Sequence, residues 1–518
     1  MRLPVRILLG ITPLWLAAPA FAQATPDGAA ALRDGLTEML KPILSAQVGG
    51  KPVFDGQVTV DPAGSVYRVR FPGVDTTVTA ADKGTPKTMH LRCSGADYTA
   101  TPQSGDTYRL EGDNPLRCTA DMTGEKQPLT VNGSSVKTAM VVDLGRKQMT
   151  DGSWESSALT IQFGDPARTV TVDSSTMTSR MVPAASGRGD LTIHMEIQGL
   201  RSGDPSAVGS FSLAHAAYDV HAPDFDMGGI LSAYGQSFGQ LVAMVDRKPT
   251  DPMPAEVRAA VLDMYRKIFA AYGDAVEGTV SASDLKVTAP EAKIAIAGLT
   301  YGVKMTGLSG QAGGTGGLDI GLSGLAIDPP SPFAQWIPTD ADIKLAGSQI
   351  PYGAVGQAYI SFIDAALSAG ASGQPGGKKP GAPDAAASAA MQQKMMQAYA
   401  QIGAALQQAG SQLDIRAFHI TAPQAAIDLG GSVKADAAAK HGVTTALKLR
   451  LTNLDGLIKF VQGQPGGAQS AAGLTMVQTM GRQATTDDGR SARDYDIVVD
   501  AAGKILINGT DFAAFMPK

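Results

Sequence analysis

The chain has only two cysteines and six histidines in 518 residues. Two lone cysteines are a poor basis for a metal site, which needs three or four converging ligands. There is no basic excess: 43 Lys and Arg stand against 48 Asp and Glu, a formal charge of −5. An acidic, evenly mixed chain argues against nucleic acid and against a polybasic membrane patch. After the first two dozen residues no apolar run approaches the roughly 20 residues of a spanning helix. Nor is a phosphate loop present. Gly373–Lys379 has the composition of one but lacks the Ser or Thr that must follow the lysine.

What is present begins with an export signal. Arg2 and Arg6 precede an apolar stretch from Ile7 to Ala20, and the first acid is Asp27. Ala20-Phe21-Ala22 supplies the small-x-small pattern of a cleavage site, so residues 1–22 read as a signal peptide and the mature, soluble, periplasmic chain starts near Gln23. Cleavage removes two arginines and no acid, taking the formal charge from −5 to −7. In an oxidising compartment Cys93 and Cys118 are expected to pair, with two buried thiols as the alternative.

With 44% hydrophobic residues the chain can bury a core, and 60 Gly with 31 Pro fall short of a low-complexity composition. Leu32, Leu36, Met39, Leu40 and Ile43 predict an opening helix. From Val53 to His221 strand follows strand. In Leu191–Ile197 the residues Leu191, Ile193, Met195 and Ile197 oppose Thr192, His194 and Glu196, the alternation of a sheet with one packed and one wet face. Asn132-Gly133 reads as a hairpin turn, and Ser104–Asp106 and Asp113–Pro115 as further turns. Helices are expected over Gly228–Val245, Pro254–Val276, Ala354–Leu367 and Met391–Gln408. Val287–Gly298 is echoed by Ile420–Gly431, with a shared Thr-Ala-Pro and six identities. Such self-similarity implies one supersecondary unit used more than once. Each of those prolines is expected at a strand edge or bulge; Val220–Asp224 is a fainter third copy. The fold expected is α+β and β-rich, with repeated antiparallel sheet units and packed amphipathic helices, or one elongated curved sheet. Its parts are a β-rich domain over 23–222, a middle α+β unit over 223–369 with the first repeat copy, a linker over 370–385, and a C-terminal α+β unit over 386–518 with the second copy.

Candidate chemistry is sparse. Gly235–Gly239 matches a nucleophile elbow around Ser237, but that motif needs a strand before the serine, and the segment reads as helix. His215, Asp219 and His221 share one face of a strand and make the best metal-like set, with Asp224 and Asp226 nearby. The alternative is a strand end with solvated His and Asp. His90, His194, His419 and His441 have no partner in sequence. No catalytic or cofactor-binding residue and no cofactor is assigned.

Near the C-terminus stand Val433–Asp436, Leu447–Ile458 with an Asn-Leu-Asp helix start, Tyr495–Asp500, and Gly503–Gly509 closing on Asn-Gly. This pattern resembles the secreted proteobacterial proteins grouped as domain of unknown function 2125, and more distantly the YdgA-like and AsmA-like families. The resemblance implies a periplasmic β-rich protein linked to envelope or lipid handling, and it transfers no catalytic residue.

The reading that follows is a non-enzymatic envelope protein holding lipid or another apolar ligand along a sheet groove. A periplasmic scaffold with a filled core that binds a partner is the alternative, and a hydrolase the third. An intact mass of the exported protein should lack Met1–Ala22; a mass that retains those residues would overturn the export reading.

Overall fold

The structure, a computed structural model, describes residues 23–44, 47–48, 51–82, 85–122, 127–164, 168–184, 187–203, 209–230, 233, 255–310, 313–330, 333–369 and 385–515. The expected signal segment, the Ser237 motif and the 370–384 stretch lie outside them, as does most of the helix expected over Gly228–Val245.

The first helix, Pro26–Leu44, follows from local chemistry. The Gly28 N–H donates to Thr25 Oγ1 at 3.0 Å, capping the start. Pro26 needs no amide partner at that position. Asp27 and Lys41 complement the helix dipole at its two ends. Its buried stripe, Ala29, Leu32 and Leu36, packs on Val58 and on Tyr67, Val69, Ala100, Leu110 and Val142 of the sheet. Leu32 and Leu36 are 0% and 1% exposed, and burial of a side chain of this size contributes about 1.5–3 kcal/mol.

β1 (Gln47–Val48) and β2 (Lys51–Pro52) pair only with each other. All other strands belong to one antiparallel sheet. It starts as two branches. In one, β3 (Phe54–Asp55) pairs with β6 (Gly73–Asp82), and β6 with β7 (Thr85–Cys93). In the other, β4 (Thr59–Ala63) pairs with β5 (Val66–Phe71), and β5 with β8 (Ala96–Pro102). Both branches meet on β9 (Thr107–Met122), β8 taking Tyr108–Glu111 and β7 taking Cys118–Met122. The expected turn at Asp113–Pro115 is instead the point where β9 changes partner. There the Asp97 N–H donates to Asn114 Oδ1 at 2.8 Å and Asn114 Nδ2 donates to the Asp97 carbonyl at 3.0 Å. Pro115, which has no N–H, falls where no ladder bond is needed. Cys93 and Cys118 are direct cross-strand partners and are disulfide-bonded. The closed loop is not a simple meander, because β8 lies inside it yet pairs with the other half of β9.

From β9 the sheet proceeds strand by strand: β10 (Leu129–Asp143), β11 (Gln148–Phe163), β12 (Arg168–Pro183), β13 (Gly189–Ser202), β14 (Ser210–Phe225), β15 (Ala275–Thr288), β16 (Lys293–Thr306) and β17 (Gly314–Ser323). It continues through β19 (Asp340–Ile350), β20 (Gln412–Thr421), β21 (Ala426–Ala435), β22 (Val443–Thr452), β24 (Ser491–Val499), β25 (Ile505–Ile507) and β26 (Thr510–Asp511). β18 (Ala326–Asp328) lies beside β16, and β23 (Arg482–Thr485) beside β24. No residue pair among the described residues joins the β25–β26 end to the β3 or β4 end. The ladder is therefore open, with two edges, and not a ring. It also crosses the expected boundaries, because β14 pairs with β15 and β19 with β20.

The Asn132-Gly133 signal proved misleading: both residues lie within β10, at a register shift against β9. A Cβ at Gly133 would lie 2.7 Å from the far end of the Leu159 side chain of the next strand, so a larger residue there would push that side chain aside. The two Thr-Ala-Pro copies are equivalent turns. Thr288 pairs with Lys293 and Thr421 with Ala426, and in each turn an alanine amide closes at 2.8 Å (Ala289 to Ala292, Ala422 to Ala425). The prolines thus sit between strands rather than at a strand edge or bulge. Pro223 of the faint third copy lies inside β14, at a register shift, so that segment is not equivalent.

Helices Ala255–Ala271, Tyr352–Ala369 and Ala385–Ala409 enter at one common strand end, between β14 and β15 and between β19 and β20. Arg258 and Asp364 tie the first two at 3.1 Å, and Phe269 and Tyr359 meet edge to face at 5.8 Å. Helices Leu454–Gln462 and Ala468–Met480 pack together through Leu454, Ile458 and Ala471. Asn453, at φ 57°, caps the first of these by accepting from the Gly456 N–H at 3.2 Å, while its Nδ2 donates to the Gln424 carbonyl at 2.8 Å.

Asn508 anchors the closing hairpin. At φ 52° it donates to the carbonyls of Met480 (2.8 Å) and Asp494 (3.1 Å) and accepts from the Asp496 N–H (2.8 Å). Replacing it by Ala removes all three bonds and places a Cβ-bearing residue without a local partner in the left-handed region. Asn508→Ala should lower stability in chemical denaturation by about 2–4 kcal/mol. Asn508→Asp, which keeps the acceptor, should lose less.

Candidate functional site

Strand alternation gives this sheet two chemically different faces, and the register keeps them so across many strands. On one face Trp154, Met177, Met195, Tyr218, Val280, Tyr301, Ile320, Ile343 and Phe418 are successive cross-strand partners from β11 to β20. At ~4.8 Å per strand this row is about 38 Å long. A parallel row carries Ile193, Val220, Gly278, Val303, Leu318, Leu345 and Ile415. No charged side chain interrupts either row. At its centre the first row is open to solvent, with Tyr218 38%, Val280 43% and Tyr301 49% exposed.

A crease crosses this face. In six consecutive strands the positions on this face step by three residues instead of two: Ser156/Leu159, Val172/Ser175, Ile197/Leu200, Leu213/Ala216, Ala282/Leu285 and Ile296/Leu299. The register is kept on both sides of the step. Alternate strands place a left-handed residue in it: Ala158 (φ 51°), Gly199 (φ 64°) and Asp284 (φ 52°). One such residue turns the following side chains over, which keeps aliphatic residues on a single face past the step. Gly199 is required twice over, because a Cβ there would also lie 2.0 Å from Asp173 Oδ2. Beside the crease Ser156 and Ser175 are only 1% and 4% exposed, although β11 and β12 carry the same face as the open centre.

The opposite face is polar and internally paired. Direct cross-strand partners include Lys137 and Glu155 (3.7 Å), Glu277 and Lys304 (2.9 Å), and Arg450 and Asp494 (2.7 Å). The hydrogen bond from Arg450 holds Asp494 below the usual carboxylate range. Exposed pairs of this kind contribute about 0–1 kcal/mol each, so they fix register more than they stabilise. Two shallow depressions, of about 660 and 540 Å³, lie on this polar face over β9–β15. Polar side chains dominate their rims, including Arg109, Asp151, Arg180, His194 and Glu155. The concavities therefore do not belong to the aliphatic face.

The metal-like set does not assemble. His215, Asp219 and His221 share the polar face, as their spacing requires, but each turns to a different neighbour. Asp219 Oδ1 lies 2.6 Å from His194 Nδ1, His221 Nε2 lies 2.8 Å from Asp190 Oδ1, and His215 Nε2 is 4.0 Å from Glu196 Oε1. No group of three ligating side chains suited to a metal occurs among the described residues. His194 had no partner in sequence, yet it stands directly opposite Asp219 and 3.2 Å from Glu196. Likewise His419 stands opposite Asp428 at 2.5 Å. Only the register brings these pairs together.

Comparison with protein-family models, with curated proteins and with solved structures finds no match.

The hydrogen bond to Asp219, aided by Glu196, raises the His194 pKa above its ordinary 6.5. A raised folded-state value means that the contribution of the pair to stability is fully present below about pH 6.5. It is lost as pH rises through the higher folded-state midpoint. An NMR titration should give a His194 midpoint above 6.5 that falls on Asp219→Asn; an unchanged midpoint would mean the contact is not formed in solution.

Proposed function

We propose that this protein is a non-enzymatic, exported envelope protein that holds an apolar ligand, a lipid, along the creased aliphatic face of its sheet. The observation that carries the reading is the row from Trp154 to Phe418, uncharged, in register over nine strands and open at Tyr218, Val280 and Tyr301. Exposed apolar surface that is contiguous, not scattered, marks a place where something apolar is meant to sit. A row about 38 Å long exceeds the ~30 Å hydrocarbon thickness of a whole bilayer, so extended acyl chains fit along it. The export signal and the similarity to the domain of unknown function 2125 proteins support the same reading. The resemblance rests on the residues quoted for it.

Protein purified from the periplasm without detergent should release lipid on organic extraction and show the bound mass in native mass spectrometry. Val280→Arg puts a charge in the centre of the row at an already exposed position, where the fold can tolerate it. It should lower retained lipid at least roughly tenfold, because burying an unpaired charge against hydrocarbon is costly. A lipid-free wild type, or an arginine variant that retains as much as the wild type, would overturn the reading. Loss of a co-purifying protein on the same substitution would favour the scaffold alternative.

A further inference from the structure

Five histidines on strands reach a carboxylate, and four of them do so through one ring nitrogen. His90 Nε2 lies 2.6 Å from Asp75, His221 Nε2 2.8 Å from Asp190, His419 Nδ1 2.5 Å from Asp428, and His215 Nε2 4.0 Å from Glu196. A neutral imidazole carries one N–H and can satisfy any one such contact. His194 differs. Its Nδ1 lies 2.6 Å from Asp219 Oδ1 and its Nε2 lies 3.2 Å from Glu196 Oε1. Ionised carboxylates only accept, so both contacts are hydrogen bonds only when both ring nitrogens carry a proton. In the neutral ring one nitrogen turns a lone pair toward a carboxylate oxygen.

The other charged groups that share the larger depression with this ring are engaged elsewhere or set apart from it. Arg109 of β9 pairs with Glu111 at 2.8 Å, Glu277 of β15 with Lys304 of β16 at 2.9 Å, and His221 of β14 with Asp190 of β13. Arg180 of β12 stands opposite Asp151 of β11. Among the described residues no Lys or Arg forms an ion pair with Glu196 or Asp219, so imidazoles are their only cationic partners. Asp219 also accepts from Thr279 Oγ1 at 3.5 Å, which extends the contacts from β13 through β14 to β15. His194, Asp219 and Thr279 are direct cross-strand partners. They are the chain neighbours of Met195, Tyr218 and Val280, at the open centre of the aliphatic row.

We propose that His194 is a proton-operated clasp on β13, β14 and β15: as the imidazolium it bridges Glu196 and Asp219, and loss of its proton weakens the bond to Asp219 and releases Glu196 toward His215. Asp219 is the partner retained, because its contact is the shorter and Thr279 supports it. The retained bond is weaker all the same, since a charge-assisted hydrogen bond is roughly twice as strong as a neutral one. The bond to Asp219, aided by Glu196, raises the His194 pKa above 6.5. The clasp is therefore closed below about pH 6.5 and opens as pH rises through the higher folded-state midpoint. Beneath the open centre of the row, the strands hold together more tightly in mild acid than in mild alkali. This device works whether or not a lipid lies on the other face.

The test is hydrogen exchange of the full chain, read by mass spectrometry at about pH 5.5 and about pH 9, on either side of the His194 midpoint. At each pH the wild type is compared with His194→Gln, whose side chain is uncharged at both. At the lower pH, peptides from Gly189–Ser202 and Ser210–Phe225 should exchange roughly two- to fivefold faster in the variant. At the higher pH the two proteins should exchange alike. Equal exchange at the lower pH, or a difference that persists unchanged at the higher, would overturn the proposal. A second measurement serves if that variant folds poorly. Nitrogen NMR of the His194 ring should show both nitrogens protonated at the lower pH and only Nδ1 at the higher. Glu196→Gln should lower the His194 midpoint, though by less than Asp219→Asn. A midpoint that Glu196→Gln leaves unmoved, or a neutral ring that keeps its proton on Nε2, would count against the clasp.

Discussion

The two-residue pleat, held in register from strand to strand, is the constraint on which everything else here depends. A slip of one residue in any pair would send that strand's aliphatic side chains to the polar face. The chain guards against a slip from both sides. On the polar face, opposite charges such as Lys137 and Glu155 or Arg450 and Asp494 meet only in the correct register. On the other face, large residues such as Tyr218, Val280 and Tyr301 meet only in that register too. Each pair is individually weak. Their agreement over more than a dozen strands makes the register specific.

The crease shows how the chain reconciles a bend with that constraint. A single left-handed residue in an isolated strand would break the alternation and turn that strand's aliphatic side chains beyond it to the polar face. Here the step of three occurs at one level in six neighbouring strands, so each pair stays matched across it. The left-handed conformation disfavours residues with a Cβ by about 1–2 kcal/mol, and both Ala158 and Asp284 adopt it. Non-glycine residues in that region, aligned across strands, show a step in the alternation that is built into the sequence.

Much of this was legible in the residues. The alternation of Leu191–Ile197 gave strand and face together, and the helical stripes found the Pro26–Leu44, Ala255–Ala271 and Tyr352–Ala369 helices. The turn dipeptides served less well. Asn132-Gly133 and Asn114-Pro115 are turn-like in composition, but one fills a close strand crossing and the other marks a change of partner. Composition cannot tell a chain that reverses from a chain that is locally irregular, because both need a small residue or a missing amide. The pairing of His194 with Asp219 was illegible for another reason. It depends on which strand lies next to which, and 24 residues of chain separate the two. The same is true of the aliphatic row, whose members are spread from Trp154 to Phe418.

The edges of the sheet sharpen the meaning of its open face. Unpaired edge strands are the usual hazard of an open sheet, since they template pairing with other chains. Here one end closes on strands of three and two residues at Ile505–Ile507 and Thr510–Asp511, followed by the short Phe512–Phe515 helix. The other ends on Phe54–Asp55 and on Thr59–Ala63, which contains Pro62. Short strands and a proline blunt both edges. The aliphatic row is not blunted in the same way: no Lys or Glu breaks it between Trp154 and Phe418, and its centre stays in contact with water. Charging Val280 would have been easy, because the side chain is exposed and its mutation to a polar residue leaves no cavity. A chain that blunts its edges and leaves its face apolar keeps one contiguous uncharged surface in contact with water, and it is on this surface that the proposed lipid site rests.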